Sequence, residues 1–203
     1  MNYYLGLDLS LTGTGIIVLA SNGSVVHSET LKNSLTGNAR LCYIRDKIKD
    51  VLEDCVPSKV CIENYAMGIS TGQSFSIGEL GGIVRVLLFE QGYEYTLVSP
   101  TQLKKFITGK GVAEKDVIML SVYKNFGYEP KDNNVADAFG LAKIAAVLAE
   151  NNTEGLMAYQ KEIIEKLLNP DAVPVKKPKK SKKPLIAFTR PNSGFKRRGS
   201  DAE

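Results

Sequence analysis

The chain has 203 residues, of which 43% are hydrophobic and 24% charged, and its formal net charge is +4. This composition is typical of a globular protein with a buried core, and without a run of about 18 apolar residues it excludes a membrane-spanning helix. The N-terminal sequence MNYYLGLD lacks the basic and apolar regions of a signal peptide. Three cysteines without zinc-type spacing favour a reducing compartment. We therefore expect a cytoplasmic protein with no membrane partner.

The positive charge is concentrated at the C-terminus. Residues 171–203 hold ten Lys or Arg and three Asp or Glu, a net charge of +7, which leaves −3 on residues 1–170. Pro, Lys, Ser and Gly dominate this segment, and such a composition cannot pack a core. We predict a globular domain over 1–150, a C-terminal helix within 151–169, and a basic tail over 170–203 that is disordered when unbound.

The order of predicted elements indicates an α/β fold. The elements, in chain order, are strands over 3–9, 14–20 and 24–30, a helix through 41–55, a strand over 58–64, a helix over 73–91, a strand over 93–99, and helices over 99–105, 113–126, 134–150 and 153–168. The first three strands are joined by short turns and should be antiparallel, whereas later strands alternate with helices. This pattern predicts a mixed five-stranded sheet with helices on both faces.

Three carboxylates lie in unusually apolar surroundings. Asp8 is inside an apolar strand, Glu63 ends a second short apolar strand, and Asp137 is near the start of an apolar helix. Neighbouring strands would bring Asp8 and Glu63 together, with Asp137 reaching them from a helix packed across the sheet. Clustered carboxylates repel one another unless a divalent cation lies between them, and oxygen ligands favour Mg²⁺ or Mn²⁺. The cluster therefore predicts metal-dependent phosphodiester hydrolysis.

Taken singly, each acid has a simpler interpretation. Asp8 could bind a turn, Glu63 could be a surface residue at a strand end, and Asp137 could favour the helix dipole. Three separate structural roles of this kind explain the pattern less well than one shared site.

Four lysines surround a Gly-Lys-Gly turn later in the chain: Lys104, Lys105, Lys110 and Lys115. Exposed lysines at a loop and at helix ends are suited to phosphate contacts. The alternative is a solvated face that binds nothing.

These segments resemble the RuvC-type Holliday junction resolvases, which have the ribonuclease H-like and integrase fold. The resemblance covers about residues 3–150 and is carried by LGLDLSLTGTGIIV, by VCIENYAMG, and by SPTQLKKFITGKGVAEKDVIMLSV followed by DNNVADAFGLA. The chain is similar to the small versions carried by bacteriophages. The resemblance implies a Mg²⁺-dependent or Mn²⁺-dependent homodimer that nicks four-way DNA junctions in pairs.

Position by position, the resemblance implies metal-binding roles for Asp8, Glu63 and Asp137, and active-site roles for Lys104 and Lys115. One position departs from the family pattern, because Asn134 stands where a fourth acidic ligand or a histidine is usual. Asn134 can still offer a carbonyl oxygen. Asp132 is the other candidate for this role, although an N-cap role for Asp132 or Asn133 is equally compatible with the sequence.

Two further features follow from the resemblance. Tyr65 lies in the loop after Glu63 and would stack on a base at the opened junction centre, or else it is a core-edge tyrosine. The helix over 73–91 corresponds to the family's dimer interface. Its glycines could allow close approach to a second copy or to the protein's own sheet: Gly78, Gly81 and Gly82.

Three other functions compete with junction resolution. A broader nuclease would cut forks and flaps as well, and a non-catalytic protein would bind junctions without cutting them. The segment LGLDLSLTGTG is also similar to the phosphate loop of actin-like ATPases and sugar kinases. Those proteins need a second Gly-rich loop and a longer chain, and this sequence has neither.

Overall fold

The structure, a computed structural model, describes residues 1–64 and 72–169. The predictions for Tyr65 and for the tail over 170–203 lie outside these residues. The elements, in chain order, are β1 (Tyr3–Asp8), β2 (Thr14–Ala20), β3 (Val25–Leu31), α1 (Gly37–Cys55), β4 (Lys59–Glu63), α2 (Gly72–Glu90), β5 (Tyr95–Val98), α3 (Pro100–Thr108), α4 (Lys115–Phe126), α5 (Asn133–Glu150) and α6 (Ala158–Leu168).

The five strands form one mixed sheet in the order β3-β2-β1-β4-β5. β1, β2 and β3 are antiparallel, and Asp8 lies opposite Gly15. β4 runs parallel to both β1 and β5, and Glu63 lies opposite Val98. Since parallel strands end at the same edge of a sheet, this topology places Asp8 and Glu63 at a common edge, as the sequence predicted.

Side-chain alternation along the strands divides the core into two layers. Leu5, Leu7 and Ile62 point to the layer that α1 and α2 cover, whereas Tyr4 and Cys61 point to the layer formed with α3, α4, α5 and α6. Successive residues of a strand face opposite sides. The predicted α/β fold with helices on both faces of the sheet is therefore confirmed.

Two glycines allow α5 to touch the sheet backbone. A Cβ atom on Gly6 would lie 2.1 Å from the carbonyl oxygen of Ala138, and one on Gly15 would lie 2.1 Å from the carbonyl oxygen of Asn134. No side chain fits at such distances. α5 therefore rests directly on β1 and β2, and this contact fixes the start of the helix beside the end of β1.

Helix boundaries differ most from the prediction in α1, α3 and α6. α1 begins at Gly37, before the predicted start at residue 41. α3 continues to Thr108 and ends at Gly109, whose φ of 79° is the left-handed conformation that favours glycine. α6 begins only at Ala158, because the preceding residues turn at Gly155, where φ is 74°. Among the described residues, no helix is long and apolar enough to cross a membrane.

Candidate active site

Asp8 and Glu63 form a contacting pair of carboxyl groups at the edge of the sheet. Asp8 is only 8% exposed, and a hydrogen bond joins the two side chains. Burial raises the pKa of Asp8 well above its ordinary value, and the charges of Glu63 and Asp137 raise it further. Burial also raises the pKa of Glu63, against the opposing effects of the Asp8 bond and of Lys104. The protein therefore does little to stabilise the ionised forms of these two carboxyl groups.

Asp137 enters from the second turn of α5. Burial and then the charge of Glu63 raise its pKa to about 7, although Lys104 and Lys115 oppose the shift. Its Oδ1 atom is buried and has no hydrogen-bond partner among the described residues. Because a buried polar atom without a partner is unfavourable, Asp137 is poised to bind a cation or a donor group.

Lys104 and Lys115 lie near the carboxylates on two separate helices. The charge of Lys104 lowers the pKa of both Glu63 and Asp137. The charge of Lys115, the first residue of α4, lowers the pKa of Asp137. α3 starts with a capping box, in which the Ser99 hydroxyl accepts from the Gln102 N–H and the Gln102 side chain accepts from the Ser99 N–H. This cap fixes the direction in which α3 carries Lys104.

The structure does not bring Lys105 into this group. Its Nζ atom is 2.7 Å from Oε2 of Glu162 on α6, so its charge is matched within the chain. Lys110 is exposed just beyond the end of α3. Of the four lysines that the sequence predicted to contact phosphate, Lys104 and Lys115 lower the pKa of carboxyl groups in the site.

Asp132 is the N-cap of α5. Its side chain accepts from the Val135 N–H at 3.0 Å, and the Thr30 hydroxyl lies 3.0 and 2.8 Å from its two oxygens. Burial opposes ionisation, but these hydrogen bonds outweigh it and lower the pKa of Asp132. Both oxygens already have partners in the protein, so the N-cap alternative is the one that the geometry favours.

Asn134 faces the turn that follows Asp8. A Cβ atom on Gly13 would lie 2.8 Å from the Asn134 side-chain nitrogen. The Asn134 side chain therefore lies beside this turn, whereas both Asp132 oxygens are occupied by protein donors.

The donor set fits a hard divalent cation. Three carboxylates whose charges act on one another supply oxygen ligands, and one of their buried oxygens has no partner. In residues 1–64 and 72–169, no group of three or more His, Cys, Asp or Glu side chains is arranged so that it could hold a metal ion by itself. A cation bound to these carboxylates would therefore need water or phosphate oxygens to complete its coordination, as is usual for Mg²⁺.

Sequence reasoning missed the small residues that assemble the site. Gly6 and Gly15 admit α5 to the sheet, and a Cβ on Gly140 would lie 2.5 Å from Ile107, so Gly140 admits α3 to α5. The buried Thr14 hydroxyl donates to the Ser10 carbonyl at 2.7 Å and closes the turn after Asp8. Glycine inside a strand or helix is the signal that could have indicated these close contacts.

Comparison with known proteins gives a consistent result. A family model described as crossover junction endodeoxyribonuclease RuvC matches residues 4–145. RuvC of Caldicellulosiruptor saccharolyticus is 32% identical over 154 residues, covering 68% of this chain and 88% of the relative. RuvC of Treponema denticola is 30% identical over 149 residues, covering 68% and 82%.

A solved structure of Thermus thermophilus RuvC in complex with a Holliday junction substrate is also similar. Its TM-score is 0.62 at 26% identity, over 70% of this chain and 91% of that chain. The unbound T. thermophilus structure gives a TM-score of 0.63 at 26% identity, over 73% and 96%. The RuvC family consists of metal-dependent nucleases. The chain described here, with its carboxylates on this shared sheet, belongs to the RuvC family of crossover junction endodeoxyribonucleases.

Proposed function

We propose that this protein resolves four-way DNA junctions by hydrolysing one phosphodiester in each of two opposed strands. The observation that carries the proposal is the group of buried Asp8 and half-buried Glu63 and Asp137, whose negative charges the protein does not fully compensate, at the edge of a RuvC-type sheet. Groups whose pKa is strongly perturbed in this way are concentrated at functional sites.

The three carboxylates would hold Mg²⁺, with Mn²⁺ as a substitute, and Asn134 would add a neutral carbonyl oxygen. Asp132 would support the site from the N-cap. When bound, such a cation lowers the pKa of a water molecule and offsets negative charge on the phosphate. Because Asn134 brings no charge, we expect weaker cation binding than a fourth carboxylate would provide.

Lys104 and Lys115 are the protein's own cations for the reacting phosphate. Each acts on Asp137 from a different helix, so a phosphate beside Asp137 would lie within their influence as well. Lys104 would orient the scissile phosphate and stabilise charge that develops on it. Lys110, exposed in the turn between α3 and α4, would contact the DNA backbone further out.

A second copy of the chain would place a second active site on the opposed strand. α2 presents a stripe to solvent in which Phe75 is 79%, Val86 55% and Phe89 82% exposed. A Cβ on Gly78 or Gly82 would meet no atom of the described residues within 4 Å. All five positions recur every three or four residues and so share one helix face.

The stripe is suited to pairing with itself. Gly82 lies midway between Phe75 and Phe89, so two antiparallel α2 helices crossing at Gly82 would place each Phe75 beside the partner's Phe89. Such a two-fold contact matches the symmetry of a four-way junction. Large exposed apolar patches are typical of interaction surfaces.

Substituting the stripe tests the homodimer. Phe89→Glu should convert the protein to monomers in sedimentation equilibrium and abolish paired nicking. Leu120→Glu is the matched control, because Leu120 is 51% exposed on α4, outside the stripe. A Phe89→Glu protein that remains dimeric would place the interface elsewhere.

Other features remain part of the proposal. We place Tyr65 at the junction centre and the basic tail on flanking DNA, where lysines would add salt-dependent affinity. We place the protein in the cytoplasm, in agreement with three unpaired cysteines. A bacteriophage source stays a prediction of the sequence.

The decisive experiment compares labelled DNA of equal length as a four-way junction, a Y-fork, a flap and a linear duplex. Each is incubated with wild type and with Asp8→Asn, in Mg²⁺, Mn²⁺ or EDTA. We expect symmetric nicks in the junction that require metal and are lost in Asp8→Asn. Equal cutting of fork and flap would favour the broader nuclease. Tight junction binding without cutting in any metal would contradict catalysis and leave a junction-binding protein.

A further inference from the structure

α6 lies beyond residue 145, where the family match ends, yet it packs against the helix that carries Lys104. Ile163 and Ile164 of α6 are each 2% exposed and belong to the same core layer as Leu103 and Phe106 of α3. A peripheral addition would not need such burial. The burial of these side chains therefore indicates that α6 supports α3.

The C-terminal carbonyl groups of α3 are satisfied one by one by groups outside the helix. The Lys105 carbonyl accepts from the Gly109 N–H, the Ile107 carbonyl from the Asn125 side chain at 2.9 Å, and the Phe106 carbonyl from the Gln160 side chain at 3.1 Å. The last four carbonyls of a helix have no partner within it. α6 thus supplies, through Gln160, one of the bonds that end α3.

Gln160 is itself held in a fixed orientation. It is 4% exposed, and its side-chain oxygen accepts from the Met157 N–H at 2.9 Å while its nitrogen donates to Phe106. Both ends of the amide are therefore used, and the start of α6 is tied to the end of α3. The Tyr159 ring also packs against Gly109, the residue that ends α3.

An ion pair strengthens the same contact on the outer side. Oε2 of Glu162 lies 2.7 Å from Nζ of Lys105, and its other oxygen lies beside Lys166. Lys105 is adjacent to Lys104, so Glu162 holds the turn of α3 from which Lys104 projects. The two lysines together lower the pKa of Glu162 to about 2.

We propose that α6 is a positioning element for the cleavage reaction, in which Gln160 and Glu162 hold α3 so that Lys104 stays near Glu63 and Asp137. Neither residue contacts the carboxylates in the structure. Both act through Lys104. The inference rests on the proposed junction cleavage.

The test measures single-turnover cleavage of a saturated four-way junction by full-length Gln160→Ala and Glu162→Gln. Glu165→Gln is the matched control, since it removes the same charge from an exposed position of α6. We expect about a tenfold slower cleavage for Gln160→Ala, about threefold for Glu162→Gln and no change for Glu165→Gln. Junction affinity, measured in EDTA by band shift, should change less than twofold.

A double-mutant cycle separates positioning from general destabilisation. In a Lys104→Ala background, Gln160→Ala should slow cleavage by less than twofold, because the group that it positions is gone. A tenfold effect that persists without Lys104 would overturn the proposal, as would unchanged cleavage by both single variants.

Amide hydrogen exchange gives a readout independent of activity. Gln160→Ala should speed exchange in the last turn of α3 and leave α5 unchanged, at a temperature where all variants are folded. Equal acceleration in both helices would indicate general destabilisation and contradict the proposal. If wild type itself does not cut junctions, the proposed function fails, whereas if wild type and all variants cut equally, only the role of α6 fails.

Discussion

The two ends of β1 both bury polar groups but treat them in opposite ways. At its start, the Tyr4 hydroxyl donates to Glu150 Oε1 at 2.6 Å, and nearby the Lys143 ammonium lies 5.9 and 5.7 Å from the ring centres of Phe126 and Phe139. Each polar group there has a partner supplied by the fold.

At the other end of the same strand, Asp8 meets two more carboxylates instead of a cation, and the Asp137 oxygen has no partner among the described residues. Burial alone does not distinguish the two ends. What distinguishes them is whether the protein completes its own hydrogen bonds. At the end of β1 that carries Asp8, a ligand must supply the missing partners of the carboxyl groups. Substitutions at the two ends test this difference.

The largest effect is expected from Asp137→Asn. Removing this negative charge should slow junction cleavage by about a thousandfold or more, equivalent to about 4 kcal/mol of activation free energy, because a proposed cation ligand is lost. The same variant should melt at a higher temperature than wild type in EDTA at pH 8, since a buried charge has been removed. A variant that is inactive and less stable would mean that Asp137 serves the fold.

The next effect is a pH dependence of metal-free stability. The folded chain holds the Asp137 proton up to a pH of about 7, whereas the ordinary pKa is 3.8. Between these values the folded state binds more protons than the unfolded state, so the free energy of unfolding falls as the pH rises. We expect a loss of about 1–3 kcal/mol between pH 4 and pH 7 from this group.

Thermal melts in EDTA measure this loss, and Asp132→Asn provides the comparison. The pKa of Asp132 is lowered, so its contribution to stability is present at neutral pH and lost in acid. Asp132→Asn should therefore destabilise the protein at pH 8, whereas Asp137→Asn stabilises it. Adding Mg²⁺ should raise the melting temperature of wild type more at pH 8 than at pH 5. An equal rise at both pH values would argue against cation binding by these acids.

The smallest effect is expected from Tyr4→Phe at the opposite end of β1. It removes one hydrogen bond to a carboxylate and should lower the free energy of unfolding by about 1 kcal/mol. Cleavage should stay within twofold of wild type at a temperature where both are folded. Urea unfolding and the junction assay check the two halves of this prediction, and a large loss of cleavage would mean that the two ends are coupled.

The antiparallel pairing of the first three strands and the adjacency of Asp8 and Glu63 could be predicted from sequence. Apolar alternation locates the strands, and in a mixed sheet the first strand and the strand that follows the first helix are commonly neighbours. The approach of Asp137 to this pair could also be predicted, because the apolar helix that carries it must cover the sheet. These arguments use only periodicity and connection, both of which are local in the sequence.

The roles of the two adjacent lysines could not be predicted in this way. Neighbours on a helix project about 100° apart, so at most one of Lys104 and Lys105 faces the carboxylates. Periodicity does not say which, and only the family resemblance implied Lys104. In the structure the charge of Lys104 lowers the pKa of Asp137, whereas Lys105 pairs with Glu162. The partner, Glu162, lies on a helix whose packing depends on tertiary contacts.

Asp137 lies between the two residues of α5 whose carbonyl oxygens rest on Gly15 and Gly6, namely Asn134 and Ala138. Its location relative to Asp8 is thus set by main chain against main chain. Over evolutionary time the large apolar side chains around the sheet can be exchanged without moving the carboxylate. We therefore expect related sequences to vary among the bulky core residues and to keep glycine at positions 6 and 15.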